Sequence, residues 1–551
     1  MEARFRRLIE LGDRLFSARG SLLDLWQEIA ENFYPERADF TAIRNLGDEF
    51  ADHLDTSAPI IARRDLGNAF GAMLRPPGKD WFHIRLKRHE VEDTAARQWL
   101  EMAERVQRKV MYDRNSGFIR ATKEGDHDFA AFGQAVLSSE FAVHPNFGAI
   151  LLHRTWHLRD VAWSEDSFGT VDHVQRKWKP TAREIVRLFP KTAHPTVRRA
   201  AEPQQEPDRT FDIRHVMVAG YNHEKKLRQP WVSLFIDVEN EHAMEEVGSW
   251  TPYYIIPRWQ TVSGSQYAYS PATVAALADA RLIQAMTYTL REAGEVAINP
   301  PMVGRGSAIK VIEGYAGGFT EIDADYDERL GEAIRPLNKG GERMIPIGLE
   351  MTQDVRAMIA EAFFLNRITL PSAGLGGMSP LEVSQRIEEY IRTALPLFEP
   401  METDYNGALC EQDFELILRN GGFGPPSAMP ESLGGQEVEF MFESPLREAT
   451  DRIMGQRLLE AKSLLVEASP LDPMAAQMVD ARVALRDALH GIGVPARWMR
   501  DENTMARIEQ AAVQKQQAAQ MLQTVSAGAQ VAEQIGMAGQ ALAPREQAVA
   551  Q

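Results

Sequence analysis

Between Ser270-Pro271 and Asn299-Pro300-Pro301 the chain carries one uninterrupted helical repeat. Val274, Leu277, Ile283, Met286, Leu290 and Ala293 recur at helix spacing along it. Pro271 suits a first helical turn, and the Asn-Pro-Pro run stops the pattern. At 1.5 Å per residue such a helix is about 40 Å long, more than a small domain is thick. A second helical run spans Thr352 to Thr369, with Val355, Met358, Ile359, Ala362 and Phe363 on one face. The two are separated by an insert rich in Gly and acidic residues at 302–350, where Ala308–Ile312 and Phe319–Ile322 read as short strands. Two rods joined by a small insert predict an antiparallel hairpin with the insert at its tip.

A glycine-rich loop follows the second rod: Pro371, Ser372, Ala373, Gly374, Leu375, Gly376, Gly377 and Met378. It runs straight into a strong helix start. Ser379 can accept a hydrogen bond from the amide three residues on, and Glu382 can reach back to the amide of Ser379. Pro380 fits the first turn, where its missing N–H costs nothing. The loop is thus held at one end and free elsewhere, and it contains no catalytic group. The helix from Pro380 towards Arg419 keeps its phase through Val383, Ile387, Tyr390, Ile391, Ala394, Phe398, Met401 and Tyr405. Pro396 and Pro400 inside a continuing pattern predict a kink rather than an end. Asn420-Gly421-Gly422 reads as its C-terminal stop.

The rest of the chain is helical at both ends and mixed in between. Phe5, Leu8, Ile9, Leu15 and Phe16, then Leu22, Leu23, Trp26, Ile29 and Phe33, mark helices that end at Tyr34-Pro35. Further helices are predicted over Ile60–Leu74 and Thr94–Asp113, with a strand through Trp81, Phe82, Ile84 and Leu86. Residues 135–260 read as α/β, with strands at Ala135–Val143, Ile150–Thr155, Val171–Trp178, Asp212–Val218 and Trp231–Val238, a helix at Thr181–Phe189 and an exposed loop at Pro195–Asp208. A strand at Glu437–Phe442 leads to helices near Leu446–Ala468 and Pro473–His490. Past Ala506 the chain is mainly Ala, Gln, Met and Glu, which suits a helix and then a disordered tail.

Composition excludes several classes of function. Of the 551 residues 44% are hydrophobic and 25% charged, an ordinary globular balance. The single cysteine, Cys410, rules out an intrachain disulfide and a multi-cysteine zinc site. The N-terminus lacks a signal-peptide core, and no apolar run is long enough to cross a bilayer. A net charge of −17 argues against gripping nucleic acid by phosphate neutralisation, though not against letting a duplex slide past.

Catalytic motifs fail one by one. Around Gly78-Lys79 a Walker loop lacks its first glycine, where Met73 stands, and its final Ser or Thr, where Asp80 stands. Gly374-Leu375-Gly376-Gly377 follows no hydrophobic strand, and Ser379 lies in no G-x-S-x-G motif. His223-Glu224 lacks a second histidine at zincin spacing. Asp323, Asp325 and Asp327 start like a calcium loop, but Glu328 and Ile334 occupy the positions that need glycine and a carboxylate; a solvated acidic loop is the simpler expectation. His153 and His157 read as structural, and Trp81-Phe82 as a buried anchor rather than a ligand platform. Arg281, Arg291, Arg356 and Arg367 on the rods are candidates for facing DNA, against the alternative of ion pairing.

The order of parts resembles the head-to-tail connector, or portal, proteins of T7-like short-tailed bacteriophages. The resemblance is carried by Leu25-Trp26 through Tyr34-Pro35, by Met73-Leu-Arg-Pro-Pro-Gly-Lys-Asp-Trp-Phe82, and by Ala297-Ile-Asn-Pro-Pro-Met-Val303. Met378-Ser-Pro-Leu-Glu-Val-Ser-Gln-Arg386 is similar to the family's Met-Thr-Ala-Thr-Glu-Val-x-x-Arg, with Ser379 and Pro380 in place of Thr-Ala. Phe414–Gly421 and Ser444-Pro445-Leu446 follow in order, so the resemblance reaches about residue 520.

It implies an α+β, mainly helical, portal-type subunit. The parts would be an α/β wing (1–269), stem helices (270–298 and 352–369) around a clip (299–351), and a tunnel loop (370–378). A kinked helix with a return to the wing (379–443), a helical crown (444–505) and a barrel-like helix with a tail (506–551) would follow. It further implies a homo-oligomeric ring, usually of twelve, at one capsid vertex of the virion, assembled in the host bacterial cytoplasm. Double-stranded DNA would pass through the channel. The implied partners are the terminase packaging motor, a tail adaptor, and the major capsid and scaffolding proteins, with no membrane, cofactor, metal or catalytic residue. An enzyme with an unrecognised site and a non-portal helical scaffold remain the alternatives.

Overall fold

The computed structural model describes residues 3–368 and 401–442, except 46, 77, 79, 88–93, 145–147, 225–226 and 299, and with only 302–304, 309–311, 321–322, 329 and 334–336 described between 301 and 344; residues 507–508, 510–511 and 514 are also described. The chain divides into two compact units that are discontinuous in sequence: Met1–Ile84, Ala103–Pro426 and Glu439–Ala449 in the first, and Arg85–Met102, Ser427–Val438 and Thr450–Gln551 in the second.

The first unit opens with α1 (Ala3–Ala18), α2 (Gly20–Phe33) and α3 (Ala58–Leu74), followed by strand β1 (Phe82–Leu86), α4 (Thr94–Met111), which runs on from the second unit, and α5 (Phe118–Phe132). Strands β2 (Leu137–His144), β3 (Gly148–Thr155), β4 (Val161–Glu165) and β5 (Val171–Trp178) come next. Then follow α6 (Ala182–Leu188), α7 (Pro195–Ala200), β6 (Ile213–Ala219), β7 (Trp231–Asp237), β8 (His242–Ser249) and the short β9 (Tyr254–Ile255). The structure is α+β, as expected.

β4 to β8 form one antiparallel sheet in sequence order, and β2 lies between β3 and β9 in a second. Period-two alternation gives the larger sheet two apolar faces. Val216 and Val218 of β6 stand opposite Leu234 and Val232 of β7 and pack with Phe5 and Ile9 of α1. On the other face Ile213 and Met244 join Ala182, Ile185, Phe189, Ala193 and Val197 of the α6–α7 unit. Thr181 caps α6 by accepting the Glu184 amide.

Four elements differ from expectation. Residues 195–200 form α7 rather than loop, because Pro195 starts a turn that seats Val197 in the core. β4 and β8 are strands without a strong sequence signal: Val161, Ala162 and Trp163 are all buried, while β8 buries chiefly Met244. α5 is also silent in the periodicity. From Gly125 to Phe132 every residue is buried, Asp126, His127 and Asp128 among them, while Ile119, Arg120, Lys123 and Glu124 are exposed nearer its start.

In the second unit, the Lys87 amide donates to the Glu437 carbonyl at 3.0 Å and the Lys87 ammonium pairs with the Glu437 carboxylate at 3.1 Å.

Candidate functional site

The long rod is α8 (Pro271–Ile298), as the spacing predicts, and its root is built on α5. A helix leaves its last carbonyls unpaired. At the end of α5 the Ala130 and Ala131 carbonyls accept hydrogen bonds from Ser270 Oγ (2.7 Å) and Thr273 Oγ1 (2.8 Å), the first residues around the rod. Gly133 closes α5 at φ +71°, and a Cβ there would fall 2.1 Å from the Tyr269 carbonyl carbon. Only glycine lets the end of α5 meet the start of α8 this closely. Above the root, Ala272, Ala276, Ala280 and Ile283 are buried. Three alanines at four-residue spacing present a flat face to neighbouring helices.

Polar side chains fix the flank of the rod. Gln284 accepts the Asp55 and Thr56 amides (2.8 and 3.0 Å) and donates to the Thr56 carbonyl (3.0 Å). Arg281 pairs with Glu28 of α2, and Arg291 with Asp55 at 2.6 Å. Two of the four candidate arginines are thus engaged within the chain. Arg356 is exposed and has no ion pair among the described residues. Arg367 lies in a short helix whose side chain there is not described.

The opposite side of α8 is bare. Val274, Ala278, Leu282, Ala285, Thr289 and Val296 fall on one stripe of the helical period and all are exposed; Glu292 lies on the same stripe and Arg281 at its edge. Val274, Leu282 and Val296 are 40% to 55% accessible.

The second rod, α9 (Ile345–Ala362), begins seven residues before the expected Thr352 and breaks before Thr369. Gly348 allows its start to approach α8, since a Cβ there would meet Leu290 Cδ2 at 2.6 Å. Val355 and Ile359 face inward. The break comes where Phe363 is fully buried against Phe33 (centroids 5.3 Å apart) and Phe364 takes φ +57°; α10 (Leu365–Ile368) follows.

Loop residues 371–378, the Ser379, Pro380 and Glu382 cap, and Pro396 and Pro400 lie outside the described residues. The chain on either side of them is firmly anchored. Phe363 is one post. The other is a π-helix, Met401–Gly407, which continues into the helix Ala408–Arg419 and ends at Asn420 and Gly421 (φ +73°), the predicted stop. π-segments of this kind accommodate an extra residue in a helix, often at functional sites.

Met401, Tyr405 and Asn406 of that segment have no exposed surface. Asn406 Oδ1 accepts from Arg75 Nη1 at 2.6 Å, and Arg75 pairs with Asp126 of α5 while its guanidinium lies over the Tyr405 ring. Burial disfavours the Arg75 charge, but Asp126 outweighs it and pushes the pKa up. Gly125 leaves room for the Tyr405 hydroxyl, 2.6 Å from where a Cβ would stand. The same helix α5 therefore holds both the rod and the far post of the loop.

None of these polar partners was singled out by spacing, since Arg75, Asp126 and Asn406 are far apart in sequence. The one available signal was three polar residues, Asp126 to Asp128, directly before the apolar run Phe129–Phe132. His153 is buried and bonds Asp413 (2.9 Å), which also accepts from Ser139, consistent with a structural role. The serine reaches the carboxylate rather than the imidazole, so this trio does not have the geometry of a nucleophile with its base. Trp81 and Phe82 are buried anchors, packed on Phe442 and Phe440. Among the described residues no three His, Cys, Asp or Glu cluster as metal ligands, and no helix is long and apolar enough to cross a membrane. The acidic run Asp323 to Asp327 lies outside the described residues.

The chain belongs to the bacteriophage head to tail connecting protein family, whose model matches residues 6–499. It is similar along nearly its whole length to the "Probable portal protein" of Bordetella phage BPP-1, with 23% identity over 545 residues that cover 96% of this chain and 95% of the relative. The "Portal protein" of Salmonella phage epsilon15 is 19% identical over 539 residues, with the same coverage. Among solved structures it is similar to a chain in the neck of an empty gene transfer agent particle, at TM-score 0.35 and 11% identity over 73% of this chain and 85% of that one.

Proposed function

We propose that copies of this chain stand side by side in a closed ring at one capsid vertex and form the channel through which double-stranded DNA is packaged and ejected. The observation that carries this is the rod α8. One side is rooted in α5 and α2, and the other presents an exposed, mainly apolar stripe, interrupted by Glu292, that no described residue of the same subunit covers. A closed ring requires each subunit to offer two different faces, and a rod with one rooted and one bare side supplies such a face. In that ring, twelve is the number of subunits that the family resemblance implies.

Loop 371–378 would project into the channel between its two posts, with its glycines letting each copy shift as the duplex passes. Arg356 is the candidate cation for that channel; Arg281 and Arg291 serve the root instead. The ring would be the platform for the terminase motor and then the tail adaptor, and would meet the capsid and scaffolding proteins during assembly in the host cytoplasm. No side chain in this scheme makes or breaks a covalent bond, and no cofactor is called for.

Deleting Ser372–Gly377 tests the loop. The variant is expected to assemble as wild type but to package or retain DNA poorly. Virions with a normal DNA content from that variant would overturn the loop's role.

A further inference from the structure

The helices α6 and α7 carry a charged surface remote in sequence from the rods. α6 and α7 bury Ile185, Phe189 and Val197 against the large sheet. Arg187 stands two residues past Ile185, and Arg198 and Arg199 one and two past Val197, so the helical period turns all three away from that core. They are exposed, as is Lys191 between the helices. Arg198 donates to the Lys191 backbone carbonyl, which ties its guanidinium to the turn that carries Lys191.

Their neighbours are neutralised: Lys179 by Asp212, Arg183 by Asp208 and Arg209 by Glu239. Arg187, Lys191, Arg198 and Arg199 have no carboxylate in ion-pair range among the described residues. A chain of net charge −17 thus concentrates four unmatched cations in residues 187–199.

We propose that this face binds the phosphate backbone of duplex DNA, at a site separate from any axial passage. Three of the four cations are arginines, whose planar fork engages two phosphate oxygens at once. An acidic protein is the less suitable occupant. A protein interface is centred on buried apolar or aromatic anchors, and on these two helices only Leu188 is a large exposed apolar residue. The acidic remainder of the chain repels DNA, which would confine binding to this patch. Four phosphate contacts give a salt dependence with a logarithmic slope of about 3 to 4.

The test is fluorescence anisotropy of a short random-sequence duplex with the purified full chain across a salt series. The patch variant carries Arg187→Gln, Lys191→Gln, Arg198→Gln and Arg199→Gln. The control carries Arg6→Gln, Arg7→Gln, Arg183→Gln and Arg209→Gln, all cations paired within the fold. Both change the net charge equally. The patch variant is expected to bind roughly tenfold or more weakly at low salt and to lose most of the slope, while the control stays near wild type. Equal losses in both variants, no loss in the patch variant, or no binding by wild type would overturn the proposal. Stronger competition by polyglutamate than by unlabelled duplex of equal charge would overturn it in favour of an acidic protein partner. None of these readouts depends on ring formation or on loop 371–378.

Discussion

Arg75 carries its charge where water cannot reach it, and Asp126, Asn406 and the Tyr405 ring replace the lost hydration. Removing one member strands the others. Arg75→Met is expected to destabilise the fold by about 3–5 kcal/mol, read as a lower urea midpoint, because Asp126 is left buried and unpaired. Arg75→Met combined with Asp126→Leu should recover much of that loss; a double variant as weak as the sum of the singles would contradict the pairing. Buried histidines set a pH dependence. Burial, with Arg63 beside it, lowers His127 to about 4, and burial lowers His173 to about 4 and His215 well below its usual value. The unfolded chain takes up these protons near pH 6.5, before the fold does. Stability is therefore full above about 6.5 and declines as the pH falls towards 4. A thermal midpoint unchanged between pH 7.5 and 5 would contradict this. Little of this chemistry was legible in the sequence. A buried charge is recognised by its partners, and those of Arg75 lie 51 and 331 residues away.

At the scale of elements, legibility followed the burial pattern. β5, β6 and β7 alternate or run apolar between turn residues, and each was found within a residue or two of its place. α8 was found whole because Ser-Pro and Asn-Pro-Pro bound it. β8 escaped because it is an edge strand whose charged residues blur the alternation. α5 escaped because residues 125–132 are buried on every side and carry no polar face, so the polar face of its first turns, Arg120, Lys123 and Glu124, does not continue as a period. Yet α5 is the element on which the rod and the loop's far post both stand. Gly133 is its weak point. Gly133→Ala is expected to cost more than about 1 kcal/mol, since it adds left-handed strain to a backbone overlap with Tyr269. The thermal midpoint should fall clearly further than for alanine at Gly264, which has open space around it; equal effects at the two sites would show that the close approach at Gly133 does not matter.

For the whole molecule, the family was legible from the order of short motifs, each weak alone. The loop and the kinked helix are expectations from glycine content, a capping box and prolines in phase, and they lie outside the described residues. Which arginines the fold would use was not legible, because Arg281 and Arg291 find Glu28 and Asp55 only after distant helices meet. The central claim is that many copies of this chain enclose a passage, with the bare stripe of α8 covered by a neighbour. Imaging the purified full-length protein end-on by electron microscopy tests it most directly. Closed rings with an axial hole wide enough for a DNA duplex are the predicted result; monomers at high concentration, open filaments, or an assembly without an axial hole would contradict it.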